Sequence, residues 1–140
     1  MPQSTFSART AGILHIALTI SSLMAIGVVW FIRGGTPMTL APTARETLGY
    51  AAYAMAATLL GITMFIRSRI PAFERGKDVN EWWGTYGPRF VVLWALGEGG
   101  CIAGAVFWLL TDNQYALLAL SGVGFLTLAA YRPSKLMELQ

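Results

Sequence analysis

Three features of the sequence predict an all-α membrane protein of four transmembrane helices in two antiparallel hairpins: its composition, four long runs nearly free of charge, and the placement of its lysines and arginines. Hydrophobic residues make up 55% of the 140-residue chain and charged residues 12%, against roughly 25% charged in an ordinary soluble domain. A soluble fold of this size would leave much of that apolar surface in water, whereas a bilayer accepts it. The chain is expected to form one domain over residues 1–140.

The first span covers residues 10–32, where no side chain carries a fixed charge, and about 20 apolar residues suffice to cross a hydrocarbon core. It is too long for the apolar part of a secretory leader and lacks a small-x-small cleavage site after it, so it is expected to be retained. Gly34, Gly35, Pro37 and Pro42 then mark an irregular exposed loop. The second span covers residues 47–66, with Thr43 and Glu46 spaced for a reciprocal capping box ahead of it. The third covers residues 90–111 with Pro88 near its start, where a missing N–H costs nothing. Thr111-Asp112-Asn113 leaves so short a link that the fourth span, residues 113–131, must return beside the third. Arg132-Pro133 stops it.

Orientation follows from the basic residues near the span ends. Arg9, Arg67, Arg69, Arg75, Lys77, Arg89, Arg132 and Lys135 fall on one side and Arg33 and Arg45 on the other, which predicts both termini in the cytoplasm. Trp82, Trp83 and Tyr86 in the middle loop are then interfacial anchors at headgroup level. With Phe73 and Val79, the two tryptophans also fit the apolar stripe of a short interfacial helix.

Glu98 is the one acid inside a span, and such a residue costs about 2.5–3.5 kcal/mol on insertion scales. A rise of about 1.5 Å per residue places it roughly 12 Å into the core, too deep for a short carboxylate to reach water. His15, the sole histidine, lies roughly 8 Å below the same surface. Thr19 and Ser22 continue its face, giving the first span a polar stripe. Matching depths predict contact between the first and third helices, with His15 opposite Glu98. The bland account is that Glu98 is a neutral acid bonding two helices together and that the Ser and Thr hydroxyls bond helix carbonyls. Gly97, Gly100 and Gly104 form a strip of bare backbone open to a close-packed helix. Ser121, Gly122, Gly124, Thr127, Thr58 and Thr63 are further candidates for interhelical contacts.

The net charge of +3 sits at the ends of apolar runs and forms no continuous face, so nucleic acid is not an expected partner. Cys101 is the single cysteine, which excludes an intramolecular disulfide or a CxxC pair, and is read as a packing residue. One histidine cannot ligate haem from both sides or build a multi-histidine metal site. No catalytic motif, phosphate loop or acidic metal cluster is present, so neither a catalytic residue nor a cofactor is assigned.

The stretch from Arg89 to Gly100, the Thr111-Asp112-Asn113 turn and the segment Tyr131-Arg132-Pro133-Ser134-Lys135 resemble a group of uncharacterised small four-helix bacterial inner-membrane proteins. The resemblance covers mainly the second half and implies a multi-pass protein of the inner membrane, but no activity. Two functions remain. One is a non-catalytic membrane subunit whose small-residue faces pack against a second copy or a larger complex in the bilayer. The alternative is a small proton-coupled carrier using Glu98 with His15.

Overall fold

The computed structural model describes residues 6–35, 40–74 and 76–138; Pro37 and Arg75 lie outside this set. All regular structure among the described residues is helical: α1 (Ala8–Gly35), α2 (Pro42–Ser68), α3 (Val79–Thr111), α4 (Gln114–Ala130) and the short α5 (Pro133–Glu138). α1, α2 and α3 are long and apolar enough to cross a membrane, and α4 is a shorter apolar helix.

Local chemistry sets the ends. The Ser7 hydroxyl accepts the Thr10 N–H at the start of α1. α2 begins earlier than expected, with Pro42 in its first turn after Ala41 and no side-chain cap. The Thr43 and Glu46 capping box does not form, because proline starts the helix before Thr43 can act as its cap. Thr43 instead offers its carbonyl to the Thr47 hydroxyl. At α3 the Asp78 carboxylate accepts from the amides of Asn80 and Glu81, at 2.7 and 3.4 Å.

That cap moves the start of α3 back from Phe90 to Val79, making a helix of 33 residues, about 50 Å long. The expected interfacial segment is thus the opening of α3 itself, and Pro88 lies inside the helix rather than near its start. Asp112 takes a left-handed conformation, φ 59°, which an Asp tolerates better than most residues. Asn113 then caps α4 through its side-chain oxygen.

α3 is the hub, packing against α1, α2 and α4; α4 also meets α2, and α1 and α2 share at most a marginal contact. The two helices of the expected first hairpin therefore lie on different sides of α3, while α3 and α4 form a packed antiparallel pair. α1 runs parallel to α3. Phe6 lies by Gly87 and Trp83, His15 by Trp94, Ser22 by Cys101 and Arg33 by Asp112. α2 runs the other way, bringing Gly49 to Asn113, Leu59 to Gly100 and Arg69 to Arg89. Consequently every described member of the larger basic set stands at one end, with Arg33 and Arg45 at the other.

The core has two parts. Near the Arg-rich end Trp82, Trp83, Phe90, Leu93 and Trp94 of α3 pack with Ala11, Ile70, Phe73, Leu128 and Leu136. Towards the opposite end Ala52 and Ala56 of α2 meet Ala116 and Leu120 of α4.

Candidate functional site

His15, Ser22, Trp94, Cys101 and Ser121 gather along the junction of α1, α3 and α4, while Thr58 on α2 bonds the Ala54 carbonyl on an exposed face and Thr63 is buried with its hydroxyl unpartnered. Thr19 donates to the His15 carbonyl at 2.8 Å and Ser22 to the Leu18 carbonyl at 2.9 Å. His15 Nε2 lies 2.8 Å from the Leu128 carbonyl; a carbonyl can only accept, so Nε2 carries the hydrogen. The ring stands edge-on to Trp94, 76° between planes and 5.3 Å between centroids. Trp94 Nε1 donates to the Tyr131 carbonyl at 2.9 Å. His15 and Trp94 together satisfy carbonyls at the C-terminal end of α4, groups that a helix cannot satisfy within itself.

Glu98 is placed differently from expectation. His15–Trp94, Ser22–Cys101 and Arg33–Asp112 share one sequence offset, which puts Thr19, not His15, level with Glu98. Trp94 and Cys101 are buried, whereas Glu98, about 40° further round the helix from Trp94, is only partly buried. It borders the open face carrying Ala95, Gly99 and Ile102. Among the described residues Glu98 makes no hydrogen bond and no ion pair, and the expected His15–Glu98 contact is replaced by the bond to Leu128. His15 lies about one turn away from Glu98 along the axis, and the two side chains also point in different directions around it.

The glycine strip meets α4 of the same chain. A methyl group at Gly97 would stand 2.9 Å from the Gly124 carbonyl, and one at Gly104 would stand 2.7 Å from the Ser121 hydroxyl. At Gly100 it would stand 3.1 Å from the Leu120 carbonyl. Cys101 and Ser121 cross this seam reciprocally, the thiol towards the Ser121 carbonyl and the hydroxyl towards the Cys101 carbonyl, at 3.8 and 3.5 Å. The strip is occupied within the chain and presents no free face to a second copy.

Trp82 and Trp83 are buried rather than exposed at a boundary, and Tyr86 is half-buried. They belong to an aromatic cluster: Trp83 touches Phe6, Phe90 and Trp94, and Trp82 touches Phe73 and Tyr86. Both indole N–H groups are buried without a hydrogen-bond partner.

Two arrangements escaped the sequence reading. At the end opposite the arginine-rich one, Arg33 pairs with Asp112, donates to the Trp108 carbonyl at 3.2 Å and lies over the Trp108 ring. An open cleft of about 600 Å³ beside it is also lined by Arg45 and Tyr115. At the arginine-rich end, Arg89 donates to the Arg69 carbonyl. Charge pairing was the available signal for the first, since Asp112 and Arg33 are the only fixed charges at those two span ends. No cluster of three or more His, Cys, Asp or Glu side chains able to hold a metal occurs among the described residues. Neither a family model, a curated protein nor a solved structure matches the chain.

Proposed function

We propose that the chain is a four-span protein of the bacterial inner membrane, both termini cytoplasmic, that serves as a non-catalytic subunit of an oligomer or larger membrane complex, with Glu98 as its contact to a neighbour. The supporting observation is the position of Glu98: midway along α3, at the edge of an open face, with no partner among the described residues. A carboxyl group in hydrocarbon needs a donor or acceptor, and the nearest polar side chains of α1 already bond elsewhere. A polar group on an adjoining chain meets that need. The shorter α4 fits as the fourth span, because its 17 residues reach about 26 Å, close to the hydrocarbon thickness.

Native mass spectrometry of the chain extracted in mild detergent tests this reading, beside vesicle measurements of proton flux. Glu98→Gln keeps a hydrogen-bonding group of the same shape and is expected to preserve the assembly. Glu98→Leu removes it and should release monomers that are still folded. A wild-type monomer would overturn the proposal, as would a Gln variant that assembles normally but loses a flux the wild type shows. For orientation, a cysteine at Asn80 should be labelled from the cytoplasm and one at Ala41 from the opposite side; the reverse pattern refutes the topology.

A further inference from the structure

A groove of about 500 Å³ runs between the last turn of α2 and the neighbouring part of α3. Phe65, Ile66 and Val92 form its walls, and Arg69 and Arg89 stand at its arginine-rich end. Phe65 and Val92 are 61% and 48% exposed, so the apolar wall opens onto the outer surface of the helices. The guanidinium of Arg89 is anchored by its 2.7 Å bond to the Arg69 carbonyl, and that of Arg69 lies over the Phe65 ring. Neither arginine pairs with a carboxylate; the ion pairs among the described residues are Arg33–Asp112 and Lys77–Glu74.

We propose that this groove binds one anionic phospholipid, with its phosphate across Arg69 and Arg89 and an acyl chain along Phe65 and Val92. Two charges without a counterion at the head of an apolar trough call for an occupant that is anionic at one end and hydrocarbon along the rest. The planar, forked donors of arginine suit phosphate oxygens, and basic pockets between helices at headgroup level are lipid sites on the same grounds. The cleft beside Arg33 differs, because Asp112 neutralises that arginine and leaves Arg45 as the one lining cation without a carboxylate among the described residues. The inference rests on the membrane-spanning reading and not on the role of Glu98.

Native mass spectrometry of the full chain in mild detergent, titrated with phosphatidylglycerol, measures the site. Phosphatidylcholine of the same chain length and inorganic phosphate serve as comparisons. Phosphatidylglycerol should be retained over phosphatidylcholine, and millimolar phosphate should not displace it. At about a factor of five per arginine, R69Q with R89Q should weaken retention by about 25-fold. R9Q and R132Q, at exposed arginines of the same end, should leave it unchanged. V92W fills the trough without altering charge and should also abolish retention, which covers the case in which the arginine variants do not fold. Equal binding of both lipids, displacement by phosphate, or full retention in the double variant and in V92W would overturn the proposal. Extraction of the chain from membranes by alkaline carbonate would instead overturn the membrane reading, so the two failures are distinguishable.

Discussion

The two halves of α3 pack by opposite means. Its first half fills space with rings: Trp82, Trp83, Phe90 and Trp94 interlock at centroid separations between 5.2 and 6.2 Å. Its second half removes side chains altogether, so that Gly97, Gly100 and Gly104 admit the backbone of α4. Bulk tolerates replacement by similar bulk, whereas backbone against backbone leaves no atom that can yield. The first half should therefore suffer most from truncation and the second from addition.

Trp83→Ala tests the first half and carries the largest expected effect, a loss of about 3–5 kcal/mol for a wholly buried ring. It should be read from thermal unfolding in mild detergent. Trp83→Phe should cost under about 1.5 kcal/mol, since it keeps a ring while deleting an N–H that has no partner. If Phe is as harmful as Ala, the indole N–H has a role the packing does not explain.

Gly104→Ala tests the second half, with an expected cost of about 1–3 kcal/mol from overpacking. Gly99 on the same helix faces open space, so Gly99→Ala should be neutral or stabilise by up to about 1 kcal/mol. Equal effects at the two glycines would mean that helix propensity, not close approach, sets the result. Between the halves, His15→Ala removes one bond between helices and should cost about 0.6–2 kcal/mol.

The smallest effect is at the surface. The Glu74 carboxylate raises the Lys77 ammonium above its usual pKa, chiefly by a hydrogen bond and then by charge. A raised folded pKa means that this contribution is present below the unfolded value and is lost as pH rises through the folded one. Lys77→Ala should thus leave the melting temperature unchanged within error at neutral pH, because the pair is exposed. A clear drop would show that the link ahead of α3 helps to hold it.

The helices and the glycine seam were legible in the sequence because they depend on local facts: length of apolar run, charge at run ends, and missing side chains at helical spacing. That the aromatic residues expected at the boundary pack into a core was not legible. Tryptophan suits both a headgroup layer and a core, and the deciding residue was Asp78, whose cap carries α3 back past both tryptophans. His15 and Glu98 failed for a different reason. A sequence gives position along a helix well, but direction around it relative to neighbours depends on which helices touch. With α1 and α2 on separate flanks of α3, Glu98 was left near an open face. α5 went unread because Pro133 signals a stop, and only the burial of Leu136 reveals that the chain turns back onto the core.

Among the contacts that join α1 to the rest are Phe6 against Gly87 and Trp83, His15 on the Leu128 carbonyl, and Arg33 on Asp112. Every one of these partners is made later by the ribosome, and α2, made next, hardly touches it. While the chain is being synthesised, α1 therefore meets its main partner only when α3 has been added, and its imidazole stays unclaimed until α4 follows. A chain halted after α2 would thus hold two helices with little to join one to the other.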